Sequence, residues 1–78
     1  MPIIEIIDGI KIMLFSKDHL PPHLHAQYAE HKVLVDLRTF EVLQGNFPNK
    51  PLKKVVEYTK ENQADLLNVF FELNPNLL

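Results

Sequence analysis

The fold is indicated first by the opening stretch IIEIIDGIKIMLF, residues 3–15. Its two arms are short and rich in β-branched and other apolar side chains, which is typical of β-strands. Asp8-Gly9 lies between the arms, and this dipeptide favours a two-residue hairpin turn. The stretch therefore predicts an antiparallel hairpin over residues 3–15.

A loop is expected over residues 16–22, after this hairpin. Pro21 and Pro22 lack a backbone N–H, and each proline favours an extended conformation in the residue before it. These constraints stop the sheet ladder and predict an ordered, extended His-Pro loop.

Further strands are expected beyond the loop. Two strand-like runs, 23–28 and 32–37, are joined by a short connection, which predicts a second hairpin. A short additional strand is expected near 40–44, so that residues 23–45 contribute two or three strands to the sheet.

The pattern becomes helical in the last third of the chain. Apolar residues between 50 and 73 recur at the spacing of one helix face, and Asn74-Pro75 is a typical helix stop. We predict one long helix over 50–73, packed across one face of a four- to five-stranded antiparallel sheet. The chain is thus expected to be a single α+β domain over 1–78.

The amino-acid composition excludes several classes of protein. The chain has 78 residues, no cysteine and a formal net charge of −2. Disulfide scaffolds and thiolate chemistry are excluded, and a strongly basic nucleic-acid binder is not indicated. No signal peptide or bilayer-spanning stretch is recognised, which predicts a cytoplasmic protein without membrane contact. The small core is compatible with homo-oligomer formation.

The segment DHLPPHLH, residues 18–25, contains the candidate site. Because side chains alternate along a strand, His23 and His25 should share one face, about 6.5–7 Å apart, opposite the apolar set. We expect that face to be the wetter one. His19 on the preceding loop can reach the same place, and Asp18 is a candidate for orienting an imidazole.

Three interpretations of His19, His23 and His25 remain open at this level. The histidines are ordinary polar residues beside a rigid proline elbow, or they contact a phosphate or nucleic acid. In the third interpretation they form an acid–base pair or a metal site, with Asp18 as the one nearby carboxylate. Neither a particular metal nor a cofactor is indicated.

Two other features have both a functional and a structural explanation. Lys50, Lys53 and Lys54 crowd the start of the predicted helix, where they form either an anion-binding or nucleic-acid-binding patch or a solvated helix end. At the other end, Val69, Phe71 and Leu73 do not fit the main apolar stripe. They are either a partner-binding surface or additional packing against the core.

The histidine-proline run, followed by Tyr28-Ala29-Glu30 and the Gly45-to-Pro48 turn, resembles the bacterial domain of unknown function 4160 family. The resemblance extends from Ile3 to about Phe70. The helix of this family often carries a Trp and, four residues later, a His. This chain has Tyr58 and Asn62 at these positions, so an active site that uses the helical histidine would be impaired or altered here.

The resemblance implies a toxin-like component of a bacterial type II toxin–antitoxin module. The implied partner is a cognate antitoxin-type protein of the domain of unknown function 2442. In this hypothesis the histidine face acts on or binds nucleic acid, and enzyme activity itself is left open. The alternatives are a non-enzymatic nucleic-acid-binding regulator and a histidine-based metal-binding protein.

Overall fold

Five antiparallel strands form one sheet in simple sequence order. The computed structural model describes residues 3–78, with side chains from Glu5 onward, so the first two residues of the predicted 1–78 domain lie outside it. The strands are β1 (Ile3–Ile7), β2 (Ile10–Leu14), β3 (His23–Tyr28), β4 (His31–Asp36) and β5 (Val42–Gly45). The predicted first hairpin, loop, second hairpin and short fifth strand are therefore all present.

The first hairpin has the turn that its sequence favours. Asp8 and Gly9 both have positive φ values, 47° and 78°, as a type I′ turn requires. The register then places Ile12 opposite Ala26 and Met13 opposite His25. In this register Ile12 and Ala26 lie on the buried face of the sheet, and His25 lies on the other face.

The prediction of one long C-terminal helix is wrong in this detail. The structure has two helices, α1 (Asn49–Glu61) and α2 (Gln63–Leu73), followed by a short 3₁₀ helix (Pro75–Leu77). The break occurs at Asn62, whose side chain donates to the Tyr58 carbonyl at 3.0 Å, and such local bonds compete with the helix interior. No helix within residues 3–78 is long and apolar enough to cross a membrane.

The core lies between one face of the sheet and the two helices. Its buried members are Ile10, Ile12, Leu14, Leu24, Ala26, Val33, Val35, Leu37, Val55, Leu66 and Phe70. The strand members alternate with more exposed residues, so a single face of the sheet is covered. Phe70 of α2 is completely buried and brings the end of that helix to the start of β3.

Gly45 sets how closely β5 approaches β4. Its φ is +92°, and a Cβ atom at this position would overlap the carbonyl of Lys32. Gly9 also has a positive φ, +78°, but a Cβ there would meet only the Tyr28 ring at 3.8 Å. Both glycines therefore have a positive φ that disfavours a side chain, but only the position of Gly9 has room for a Cβ atom.

We predict that Gly45→Ala destabilises the protein more than Gly9→Ala. Both variants place alanine in a conformation that costs about 1–2 kcal/mol. The overlap with β4 should add at least about 2 kcal/mol at position 45. Urea unfolding followed by circular dichroism measures the difference. Equal stability of the two variants would show that β5 can withdraw from β4 without loss.

Candidate functional site

The His-Pro loop is held in place by the last residue before the 3₁₀ helix. Asn74 is 1% exposed, and its Oδ1 accepts a hydrogen bond of 2.7 Å from the backbone N–H of Asp18, 56 positions away. Its Nδ2 donates to the carbonyls of Phe15 at 2.9 Å and Phe70 at 3.0 Å. One buried amide thus ties the loop to the end of α2.

The prolines fix the other end of the loop. Pro22 is buried, and its carbonyl accepts a hydrogen bond of 2.9 Å from the Leu37 N–H. The Leu20–Pro21 peptide bond is cis. The Pro21 carbonyl lies 2.8 Å from Nδ1 of His23, so that the loop backbone itself orients this imidazole.

Asp18, His23 and His25 converge on one point. Oδ2 of Asp18 is 3.1 Å from Nε2 of His23 and 3.1 Å from Nε2 of His25. The contact with His25 has hydrogen-bond geometry. A single carboxylate oxygen therefore faces two imidazole nitrogens, an arrangement suited to moving a proton or holding a cation.

His23 does not lie on a wet surface as the strand pattern predicted. Its side chain is 2% exposed, whereas that of His25 is 29% exposed. Alternation correctly separates both residues from Leu24. However, His23 is the first residue of β3, where the His-Pro loop and Phe70, at 5.8 Å between ring centroids, exclude water from it.

The tautomer of neutral His23 follows from its surroundings. A carbonyl oxygen only accepts, so Nδ1 must donate to Pro21. Nε2 then carries a lone pair and, among the described residues, has no hydrogen-bond partner even though it is buried. The nearby Asp18 oxygen lies at hydrogen-bond distance but outside hydrogen-bond geometry.

The environment of Asp18 favours its ionised form. Burial alone would raise the pKa of this carboxyl group. The hydrogen bond from His25, that from the His19 backbone N–H and, when the imidazoles are protonated, the positive charges of His23 and His25 outweigh burial and lower the pKa of Asp18 below its ordinary value. The carboxylate is thus a stable negative charge at neutral pH.

His19 is a peripheral member of the cluster. Its side chain is 83% exposed, and its Nδ1 lies 3.4 Å from Oδ1 of Asp18. Its ring centroid is 5.7 Å from that of His23, which is itself 5.1 Å from that of His25. All three predicted histidines therefore lie side by side, with His19 on the solvent side.

A cleft of about 440 Å³ adjoins His25 on the sheet face that the helices leave uncovered. Its lining residues include Met13, Phe15, His25, Gln27, Lys32 and Gln44. Phe15 contacts the His25 ring edge-on, at 4.6 Å between centroids. The cleft combines apolar surface with amide groups and one lysine, so His25 lies between the Asp18–His23 contact and a space that a small molecule can enter.

The predicted lysine patch lies apart from the histidines. Lys50, Lys53 and Lys54 are exposed near the start of α1, and Nζ of Lys54 is 3.0 Å from Asp8 in the first hairpin turn. Met13 pairs with His25 across the sheet, and Asp8 lies five positions before Met13. Five positions correspond to a distance of about 17 Å along a strand. The structure does not bring these two predicted groups together.

The predicted partner surface at the end of α2 is partly covered. Val69, Phe71 and Leu73 are half-buried and pack against the core. Phe71 stacks edge-on against Phe70 at 5.3 Å, and the Arg38 guanidinium lies 5.9 Å from the Phe71 centroid. Packing therefore accounts for much of the apolar surface that the sequence pattern left over.

Three residues belong to the site that the sequence pattern did not predict there, namely Asn74, Phe15 and Phe70. The sequence pattern identified Asn74 only as the end of a helix. It could not show that the Asn74 side chain bonds Asp18 and Phe15, which lie 56 and 59 positions earlier in the chain. Asp18 was recognised as an orienting residue, but the structure gives it the central position.

The site has the features of a carboxylate–imidazole centre on a small α+β fold. The family model described as Domain of unknown function (DUF4160) matches residues 9–70, a range that includes the His-Pro loop, β3 and most of α2. The chain belongs to this family, as the resemblance of its histidine-proline run indicated. No curated protein and no solved structure gives a significant match to the chain.

We predict that Asn74→Ala destabilises the protein by about 2–4 kcal/mol, because the Asp18 N–H and the Phe15 carbonyl lose the Asn74 side chain as their partner. The Asp18 amide should also exchange with solvent faster, since its acceptor is removed. Urea unfolding and amide exchange measured by NMR check the two effects. The matched control is Asn68→Ala, an exposed asparagine on α2, expected within about 0.5 kcal/mol of the parent. Equal stability of the two variants would contradict the role given to Asn74.

The lowered pKa of Asp18 predicts a specific acid sensitivity. Because the folded protein holds this carboxyl group ionised more strongly than the unfolded chain, the resulting stabilisation is present above the unfolded pKa of about 3.9. It is lost as pH falls through the folded pKa. In chelator-containing buffer, the free energy of unfolding should therefore fall less steeply below about pH 4 in Asp18→Asn than in the parent. Asp65→Asn, an exposed control, should keep the parent slope, and a parent-like slope in Asp18→Asn would refute the assignment.

Proposed function

We propose that this protein is a toxin-like component of a bacterial toxin–antitoxin module, acting on or binding nucleic acid in the cytoplasm at the Asp18–His23–His25 centre. The observation that carries the proposal is the convergence of both Nε2 atoms on one Asp18 oxygen, each at 3.1 Å. Paired imidazoles with a carboxylate are suited to proton transfer at a phosphodiester and to phosphate contact.

The three histidines take different roles in this proposal. His25 is the group that contacts the nucleic acid, because it is the member that lines the cleft. Buried His23 supports it through the shared carboxylate, and exposed His19 supplies a third contact or an orienting group. Phe15 and Lys32, which also line the cleft, suit a base and a phosphate respectively.

The end of α2 is the proposed contact for an antitoxin-type partner. Val69, Phe71 and Leu73 retain partial exposure, so a partner helix or strand could complete their burial. The lysines of α1 are not assigned to the nucleic-acid contact, because Lys54 is paired with Asp8 at the far end of β2.

We predict that expression of the chain alone in a bacterial host arrests growth and that His25→Ala abolishes the arrest. His25 is chosen because it is partly exposed, whereas substitution of the buried His23 can also destabilise the fold. The His23→Ala/His25→Ala double variant is tested in the same assay. His31→Ala is the matched control, since His31 lies at the opposite end of the β3–β4 hairpin. Growth curves at equal protein levels measure the effect.

The biochemical counterpart uses purified protein with RNA and single-stranded DNA of mixed sequence. If the centre is catalytic, His25→Ala should lower the cleavage rate by about 10²–10⁴-fold. If it only binds, a gel shift that weakens with rising salt should be lost in the same variant. Unimpaired growth of cells that express the parent chain, together with no cleavage and no gel shift, would refute the proposed function.

A further inference from the structure

We infer that Asp18, His23 and His25 bind a single divalent transition-metal ion. One ligand atom from each residue lies within 4.8 Å of the other two. The inference goes beyond the proposed function, because a metal site in this fold does not require any action on nucleic acid.

The distances fit ligands of a shared ion. Nitrogen and oxygen ligands lie about 2.0–2.1 Å from a transition metal, so adjacent ligand atoms are about 2.9–3.4 Å apart at octahedral or tetrahedral angles. Both Asp18-to-imidazole distances are 3.1 Å. The two imidazole nitrogens lie within 4.8 Å of each other.

The Nε2 atom of His23, which is unsatisfied within the described part of the chain, supports an ion bound between this atom and Asp18. A ligating nitrogen points at the ion, about 35–45° away from the neighbouring ligand atom. Nε2 of His23 is close to the Asp18 oxygen but has no hydrogen-bond partner among the described residues. A buried lone pair beside a carboxylate is electrostatically unfavourable, and a cation between the two atoms removes the conflict.

The surrounding groups orient the ligands as in known metal sites. Metal-ligating histidines usually donate their other ring N–H to a carbonyl or carboxylate, and His23 Nδ1 has the Pro21 carbonyl at 2.8 Å. Oδ1 of Asp18 accepts the His19 backbone N–H at 3.0 Å, so the oxygen that faces both imidazoles, Oδ2, is the one that would bind the ion in a monodentate manner, replacing its present contact with His25.

The ligand set selects the class of metal. Two imidazoles and one carboxylate suit zinc, iron(II), cobalt or nickel, whereas calcium and magnesium prefer all-oxygen sites. Three protein ligands leave at least one coordination position open. His25 is the most exposed of the three ligands and the one that lines the cleft, so a water molecule or a substrate atom would approach the ion past His25.

The test uses untagged, chelator-treated protein. Isothermal titration with Zn²⁺ and absorption spectroscopy with Co²⁺ should both show one site per chain, and Zn²⁺ should raise the melting temperature. Asp18→Asn and His25→Ala should each weaken binding by at least about tenfold. His31→Ala should bind as the parent does, since His31 lies outside the cluster.

Two results would overturn the inference. The first is the absence of stoichiometric binding of Zn²⁺, Co²⁺ and anaerobic Fe²⁺ to the folded parent protein. The second is binding that is equally tight in the parent and in both Asp18→Asn and His25→Ala, with all three shown to be folded by circular dichroism.

The same experiments separate this inference from the proposed function. Growth arrest by a protein that binds no metal would refute the metal site and leave the proposed function standing. Stoichiometric metal binding by a protein that neither arrests growth nor binds or cleaves nucleic acid would support the metal site and refute the proposed function.

Discussion

The buried amide of Asn74 is the constraint on which the candidate site depends. It forms hydrogen bonds with three backbone groups, those of Phe15, Asp18 and Phe70, and the Phe70 carbonyl also accepts the Asn74 backbone N–H. Because each bond ends on a buried or half-buried group, the loop cannot shift without leaving polar atoms unpaired. The position of the Asp18 carboxylate is therefore a property of the whole fold, although Asp18 itself lies on a loop.

Much of the sheet could be predicted because local rules govern it. Asp8-Gly9 specifies its own turn, and the prolines mark the end of the first hairpin. The break at Asn62 was missed because the apolar spacing continues across it, while a side-chain bond to the Tyr58 carbonyl interrupts the helix. The spacing of apolar residues shows which face of a helix is buried, but it does not reveal a break of one residue between two helices.

The polar members of the cluster could be predicted, but neither the burial of His23 nor the supporting residues Asn74, Phe15 and Phe70 could. Strand alternation correctly placed His23 and His25 on one side of β3, and proximity in sequence indicated Asp18. Alternation carries no information about what covers a strand end, so the burial of His23 beneath the loop and Phe70 could not be foreseen. The separation of the lysines from the histidines likewise depends on how α1 lies across β2, which is a tertiary property.

The long sequence separation between Asp18 and Asn74 has a consequence for how the centre forms. Asp18, His23 and His25 all precede, in the order of synthesis, the residue that holds their loop. A growing chain can complete its first hairpin from local contacts, whereas the hydrogen bond from the Asp18 N–H to Asn74 requires the end of α2 to reach the loop. A chain truncated before residue 74 would therefore keep Asp18, His23 and His25 but lack this tie between their loop and the last helix.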